Sequence, residues 1–381
     1  MTGGIAVRHK LICVKCNAVQ EQKPAYACSK CGGILHFEPE ESELPYPMMG
    51  EGNTPLIPLL RSAQELDLDK VYIKCEFMNP TGSFKDRGMA FALAHSRELG
   101  VEKIIVASAG NASASAAAYG SRAGMPVTAI VPASTSMEKV RQAAAYGAKV
   151  IRMKGNYSDS FQGAKAVAQD KKWYNLTTTY INPYVWAGYE GICRELTEQL
   201  DKPADWIMVP IGAGPFLGGI YHGFLKLKEE GVVEKIPRLI GVQSDCCYPI
   251  ADAYFRQATD VKEWNMTRPT IASGLNDELK GYTQDGAYTL ECIYKSQGRA
   301  VIVSDEEILE ARALMGREGL YTEPAGAAGV AAAKKLRLEG VLHKSDVIIS
   351  LATGSGLKSS IASGQQEPPT AETIEELLNL L

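Results

Sequence analysis

Asn79-Pro80-Thr81-Gly82-Ser83-Phe84-Lys85-Asp86-Arg87-Gly88 joins an apolar run, Val71-Tyr72-Ile73-Lys74-Cys75, to a stretch that reads as a helix over Lys85–Leu99. The join is a turn of small residues with a lysine at the helix opening. A lysine there lies near free backbone N–H groups and the positive end of the helix, which lowers its affinity for a proton. That favours the neutral amine a Schiff-base lysine must become. On these residues alone, a solvated surface lysine is the other reading of Lys85.

The strand-then-helix unit recurs along the chain. Further strands are expected from Lys103 (KIIVAS), Val127 (VTAIV), Trp206 (WIMVP), Arg238 (RLIGVQ), Ala300 (AVIVS) and Asp346 (DVIISLA). Helices are expected over Ser113–Ala123, Met137–Tyr146, Asp159–Lys171, Val185–Leu200, Leu217–Glu230, Asp305–Arg317 and Ala325–Leu338. This alternation predicts an α/β protein with mostly parallel, buried sheets. In such sheets ligands sit beyond the carboxyl ends of the strands, in the loops that open helices.

Three more such loops carry chemistry. Ser108-Ala109-Gly110-Asn111-Ala112-Ser113 places a hydroxyl, small residues and backbone donors at a helix start, which suits a carboxylate. Asn111 adds an amide able to donate to a phenolate oxygen; a plain helix cap at Ser113 is compatible with the same residues. Gly212-Ala213-Gly214-Pro215-Phe216-Leu217-Gly218-Gly219 lets a backbone approach one phosphate. It lacks both the G-x-G-x-x-G and the G-K-[ST] spacings, and a tight strand–helix turn is its other reading. Thr353-Gly354-Ser355-Gly356 offers a hydroxyl at a strand end, a weak signal by itself.

The 40 Lys+Arg against 44 Asp+Glu give a net charge of −4, with no basic excess to draw the chain to nucleic acid or an anionic membrane. No apolar run reaches the ~18 residues of a spanning helix, and MTGGIAVRHK lacks the pattern of a secretory signal. A soluble, cytoplasmic protein is expected.

Cys13-Val-Lys-Cys16 and Cys28-Ser-Lys-Cys31 are two C-x-x-C pairs eleven residues apart. Facing pairs of this kind complete a tetrahedral S₄ site for Zn²⁺. A segment of ~35 residues buries too little apolar surface to stand alone, so a structural zinc clip is expected over 1–40. Cys75, Cys193, Cys246, Cys247 and Cys292 have no metal spacing and read as core.

In this order the four loops resemble the fold-type II pyridoxal-phosphate (PLP) enzymes, the threonine synthase-like members most of all. The resemblance runs from about Gly50 to Lys358; its most specific pieces are NPTGSFKDRG and SAGNASASAAAYGSRAG, with EEILEARALMGREGLYTEPAGAAG before the last strand. It implies two three-layer α/β domains of the tryptophan-synthase-β-like class behind the zinc knuckle. The large domain would comprise 41–90 and 180–365, the small one 91–179, with a C-terminal helix or tail over 366–381. Movement of the small domain could then close the site over substrate. A homodimer is typical of the resemblance.

By this resemblance Lys85 carries the cofactor as a Schiff base and shuttles protons, Phe84 packs near the ring, and Asn111 contacts its O3′. Gly212, Ala213, Gly214, Gly218 and Gly219 hold the phosphate, and Thr353 meets the pyridine nitrogen. Ser83, Ser108, Ala109, Gly110, Ala112, Ser113 and Val185 line the substrate, a small amino acid. The implied chemistry is a lyase-type elimination or replacement through an aminoacrylate or vinylglycine-type intermediate. Threonine synthase itself, a serine/threonine-type ammonia-lyase and a β-replacement synthase share that frame. Outside enzymology, the alternative is a zinc-ribbon binding protein with a silent body.

One departure bears on substrate. Family members acting on O-phosphohomoserine have N-P-x-R-x-E-G-Q, where this chain has Asn182-Pro183-Tyr184-Val185-Trp186-Ala187-Gly188-Tyr189. The phosphate loop also lacks the usual asparagines, and Thr353-Gly354-Ser355-Gly356 replaces T-G-H-G or T-G-N-G. Losing an arginine removes strong bonds to a dianionic phosphate; either another cation compensates or the substrate carries no terminal phosphate, and a changed substrate is the expectation.

Overall fold

The computed structural model describes residues 9–20, 24–39, 48–96 and 99–359. Three short strands, β1 (His9–Cys13), β2 (Val19–Gln20) and β3 (Leu35–Pro39), form an antiparallel sheet in the order β2-β1-β3. Glu38, near the end of the clip expected over 1–40, pairs in β3 opposite Lys10. Residues 40–47 and the tail expected over 366–381 lie outside the described residues.

Next come β4 (Leu56–Pro58), α1 (Arg61–Glu65), β5 (Lys70–Lys74) and α2 (Lys85–Ala94). The chain then runs through β6 (Ile104–Ala107), α3 (Asn111–Arg122), β7 (Val127–Pro132), α4 (Met137–Ala145), β8 (Lys149–Met153), α5 (Tyr157–Lys171) and β9 (Tyr174–Asn175). After α6 (Pro183–Ala187) and α7 (Ile192–Gln199) follow β10 (Trp206–Pro210), α8 (Pro215–Glu229), β11 (Arg238–Ser244) and α9 (Pro249–Phe255). The last elements are α10 (Thr283–Lys295), β12 (Arg299–Val303), α11 (Asp305–Arg317), α12 (Pro324–Leu338) and β13 (Val347–Leu351).

Two larger sheets result. One has the order β12-β11-β10-β13-β5-β4 and is parallel except at its edge strand β4; the other, β8-β7-β6-β9, is parallel throughout. Every residue of β6, β10 and β13 is buried and is apolar or small, as strands covered on both faces require. Alternate residues of β10 serve different cores. Trp206 and Met208 join β5 and the alanines of α12, whereas Ile207 and Val209 join α8, the smaller sheet and the knuckle residues Leu11, Leu35 and Phe37.

The helix expected over Val185–Leu200 is two helices. Asn182 caps α6 by accepting from the N–H groups of Tyr184 and Val185, with Pro183 in the first turn. The break lies at Gly188–Gly191, where α6 closes on α2. A Cβ on Gly188 would stand 2.6 Å from the Arg87 carbonyl oxygen, and one on Gly88 2.5 Å from that of Val185. Paired glycines thus let the backbones of α2 and α6 touch, and α2 carries Lys85.

Candidate active site

Lys85, Ser108, Gly212 and Thr353 all lie beyond the carboxyl ends of parallel strands β5, β6, β10 and β13. Direct contacts bring their loops together. Phe84 N–H donates to the Thr353 carbonyl (3.0 Å), and Glu323 N–H donates to that of Gly354 (2.9 Å). The Asn111 amide donates to both Glu323 oxygens at 2.9 and 3.1 Å. Phe84 stacks on Phe216 of α8 with ring centres 4.3 Å apart.

The turn before Lys85 is built by its own sequence. Gly82 adopts φ +84°, a left-handed conformation that glycine accepts freely. Asp86 is buried and reaches back to the N–H and hydroxyl of Thr81, both at 2.6 Å, and across to the Ser115 hydroxyl of α3 at 2.5 Å. Arg87 forms ion pairs with Glu76 (2.7 Å) and Glu195 (2.6 Å), and Glu195 also takes Lys74 at 2.6 Å. Burial opposes charge on Glu195, but its two cationic partners prevail and hold it down at about 2.

Lys85 Nζ donates to Thr178 Oγ1 at 2.8 Å and lies 4.4 Å from the centre of the Phe84 ring. Burial pushes its pKa from the ordinary 10.5 down to about 7, against the attraction of Glu323 and Asp277. Burial also raises the Glu323 carboxyl, and it pushes Asp277 up to about 6 despite hydrogen bonds from the Tyr282 hydroxyl and Leu279 N–H.

Two rows of donors flank this amine. Among the described residues, the N–H groups of Gly212, Ala213, Gly214, Phe216 and Leu217 donate to nothing in the protein, although all but Gly212 are buried residues. The N–H groups of Asn111, Ala112 and Ser113 at the start of α3 are likewise without an acceptor. Buried backbone donors are almost always paired, and both rows sit where a helix end favours an anion. The hydroxyl of Ser83 is fully buried and has no partner either.

Other expected residues play different local parts. Ser108 Oγ accepts from Gly110 N–H at 3.1 Å, and Ser113 Oγ donates to the Gly110 carbonyl at 2.9 Å, so both hydroxyls brace the loop. Ala109 is half-buried, and Gly110 is exposed with open space at its Cβ position. Thr353 is buried.

Gly218 and Gly219 do not line the open side of their loop. A Cβ on Gly218 would run into the Tyr180 ring, and one on Gly219 would stand 2.7 Å from the Trp186 carbonyl oxygen. The Gly218 N–H is already taken by the Gly214 carbonyl (3.0 Å). These two glycines let α8 pack closely, and the free donors are the residues before them. Val185 is fully buried against Gly88, with its side chain turned to α2. Thr178 and Asp277 carry no motif, and sequence reading missed them as members of the site; Glu323 lies in the EEILEARALMGREGLYTEPAGAAG segment, to which sequence reading gives no site role.

The knuckle cysteines converge. The sulfurs of Cys13, Cys16, Cys28 and Cys31 all lie within 4.8 Å of one another, and Gly32 supplies the φ of +71° that the turn needs. The segment rests on α6: Trp186 Nε1 donates to the Leu35 carbonyl (3.0 Å), and His36 packs on the Trp186 ring at 4.7 Å. The other five cysteines are buried.

The residues present fit PLP. A desolvated amine stands between one row of unpaired donors suited to a phosphate and another suited to a carboxylate, with aromatic Phe84 beside it. Among the described residues no helix is long and apolar enough to cross a membrane.

The family profile described as pyridoxal-phosphate dependent enzyme matches residues 48–354. Threonine synthase of Methanocaldococcus jannaschii is 37% identical over 88% of this chain and 82% of its own length. That of Methanosarcina acetivorans is 34% identical over 92% of each. Among solved structures, maize serine racemase superposes with a TM-score of 0.69 at 22% identity, covering 80% of this chain and 88% of that one. O-ureido-L-serine synthase gives 0.70 at 19% identity, covering 88% of this chain and all (100%) of that one; at such identities the likeness is one of fold. Motifs, site geometry and relatives agree: the chain belongs to the pyridoxal-phosphate dependent enzymes of fold type II and resembles threonine synthase.

Proposed function

We propose that this enzyme carries out PLP-dependent elimination or replacement on a small amino acid, as a lyase of the threonine synthase-like kind. The observation that carries the reading is the desolvated Lys85 amine between two rows of unpaired N–H groups. When bound, PLP supplies the electron sink that stabilises negative charge at the substrate α-carbon. The Gly212–Leu217 donors would hold its phosphate, and the Thr353 hydroxyl would stand at its pyridine nitrogen. Asn111, Ala112 and Ser113 would hold the substrate carboxylate, while Lys85 Nζ takes the α-proton and later returns it. Thr178 keeps that nitrogen in place between the two events.

The relatives favour a second reading, threonine synthase acting on O-phosphohomoserine. Against it, Val185 brings no charge, and Arg87 is committed to Glu76 and Glu195. Incubating the holoenzyme with O-phosphohomoserine and with neutral amino acids separates the two. The account expects little phosphate release and clear turnover of an unphosphorylated amino acid; rapid phosphate release with threonine as product would favour the second reading.

Burial of the Lys85 amine makes its reaction with an aldehyde depend on pH near neutrality. Only the neutral amine attacks an aldehyde, so capture of PLP by the apoprotein should quicken as pH rises from 6 to 8, with a midpoint of about 7. An ordinary lysine would keep accelerating towards 10.5. The absorbance that develops on mixing gives the rate, and a profile still climbing steeply above pH 9 would contradict the assignment.

The four cysteines are proposed to hold one structural zinc, whose binding contributes to the folding of the knuckle. Metal analysis should find one zinc per chain, lost in Cys16→Ser. Because Leu35 and His36 pack on Trp186, that loss should also lower Tm; a zinc-free protein with unchanged Tm would rule the clip out. We likewise propose a large domain of 41–90 and 180–365 and a small domain of 91–179. In that view the β8-β7-β6-β9 sheet moves against the larger one and closes the site.

A further inference from the structure

Glu323 stands at the N-cap of α12, but its side chain does not cap that helix, and glutamate is not among the residues that caps favour. The carboxylate reaches across the cleft instead, where both oxygens accept from the Asn111 amide on α3 at 2.9 and 3.1 Å. Its segment is tied to the loop after β13. Thr322 Oγ1 donates to the Gly354 carbonyl at 2.7 Å, Glu323 N–H to the same carbonyl at 2.9 Å, and Gly356 N–H to the Tyr321 carbonyl at 3.1 Å. A Cβ on Gly354 would run into the Glu323 carboxylate, and Gly354 pairs with Ser83, two residues before Lys85. The first glycine of Thr353-Gly354-Ser355-Gly356 thus makes room for a carboxylate beside the turn that carries the amine.

Two carboxylates attract the Lys85 amine, and Glu323 pulls harder than Asp277. Burial disfavours the Glu323 charge, whereas the Asn111 amide, Lys358 and Lys85 favour it. The starts of α3 and α12 on either side favour it as well. An amide donating to both oxygens suits the ionised form, which only accepts. Lys358 is attracted in turn by Glu323 and Asp86, and it donates to the Thr81 carbonyl at 2.9 Å. Its cation offsets the like charge that Glu323 would present to a carboxylate held at Asn111–Ser113. From α11, Arg312 donates to the Thr322 carbonyl at 2.9 Å and lies over the Tyr321 ring at 5.0 Å.

We propose that Glu323 is the positioning residue for the proton on the Lys85 nitrogen: fixed by Asn111 and by the loop after β13, its carboxylate holds a proton there. This rests on the PLP reading above. While Lys85 carries the cofactor, the charge favours a protonated nitrogen. Once Lys85 is free, the same charge raises the affinity of its amine for the α-proton and so strengthens the base.

Glu323→Gln removes the charge while keeping the side-chain length and an acceptor for Asn111. In the holoenzyme the cofactor's absorbance reports protonation of the nitrogen that joins it to Lys85, so a pH titration of that band reads the effect. The midpoint in Glu323→Gln should lie about one pH unit or more below that of the wild type, and Glu323→Asp, which keeps the charge, should fall less. Coincident curves for the wild type and Glu323→Gln, titrating or flat, overturn the proposal. So does an equal fall in both variants, which would mean packing rather than charge. Should Glu323→Gln fail to hold the cofactor, carbamylation of Lys85 by cyanate across pH makes the comparison in the apoproteins, read by peptide mass spectrometry. The wild type should react with a midpoint of about 7 and the variant with a lower one; equal midpoints overturn the proposal. A wild type without cofactor absorbance strikes the PLP reading itself. One that shows the band, with titrations that coincide, strikes only the role of Glu323.

Discussion

Lys85→Ala is expected to lower turnover by about 10³-fold or more while leaving the fold intact. The two effects separate because of what Lys85 does in the structure. Among the described residues its amine makes a single hydrogen bond, to Thr178, and its cation is held in a site that disfavours charge. Removing it deletes no core contact and relieves a desolvated charge, so Tm should hold or rise slightly. Activity should vanish because the group that takes and returns the α-proton is gone. An added primary amine would restore a little of it. Turnover within tenfold of the wild type would remove Lys85 from the chemistry, and a collapse of Tm would mean a structural role that its contacts do not show.

The second large effect is on stability. Arg87→Ala should cost about 3–5 kcal/mol, the range for stripping one partner from a buried ion pair. Glu76 is wholly buried and receives two of the Arg87 hydrogen bonds, both at 2.7 Å; Glu195 receives another at 2.6 Å. Lys74 would still serve Glu195, but among the described residues Glu76 would keep only the Thr54 hydroxyl and the Asn79 amide. Denaturant midpoints measure the loss. Because Arg87 is two residues from Lys85 on α2, cofactor affinity should fall as well. A change below about 1 kcal/mol would mean that water or relaxation satisfies Glu76. Arg87→Lys should recover only part of the loss, since an ammonium cannot reproduce the forked pairing.

Much of the fold was legible because buried parallel strands announce themselves. Trp206–Pro210 and Val347–Leu351 are continuous buried runs followed by glycine-rich turns, and both strands are where their apolar sequence put them. Asp305–Arg317 was legible to its ends, since Ser304 and Glu307 form a reciprocal cap. The edge strands β4 and β8 were not. Lys149–Met153 is mostly exposed and has no alternation to read, and Leu56–Pro58 is three residues long. Pro249–Phe255 and Thr283–Lys295 were also missed as helices.

The site divides in the same way. Lys85 and the donors of Asn111–Ser113 and Gly212–Gly214 were legible because local sequence builds each of them: a turn, a strand end, a helix start. Asp277 and Thr178 come to Lys85 only through tertiary folding, from loops with no signature of their own, and Glu323, although inside the characteristic segment before the last strand, is brought there by the same folding. Gly218 and Gly219 show the opposite failure. A glycine opening a helix reads the same whether it admits a phosphate or a neighbouring ring, and only the packing of Tyr180 and Trp186 reveals the latter. Val185 was noticed for the arginine it replaces, but its side chain turned out to fill the α2–α6 contact.

The central claim is that PLP is carried on Lys85. Borohydride reduction of the holoenzyme, followed by proteolysis and peptide mass spectrometry, tests it most directly. The account predicts one reduced pyridoxyl group per chain, on the peptide containing Ser83-Phe84-Lys85, and none after Lys85→Ala. A label on another lysine, or no label on protein that shows the cofactor's absorbance, would contradict it.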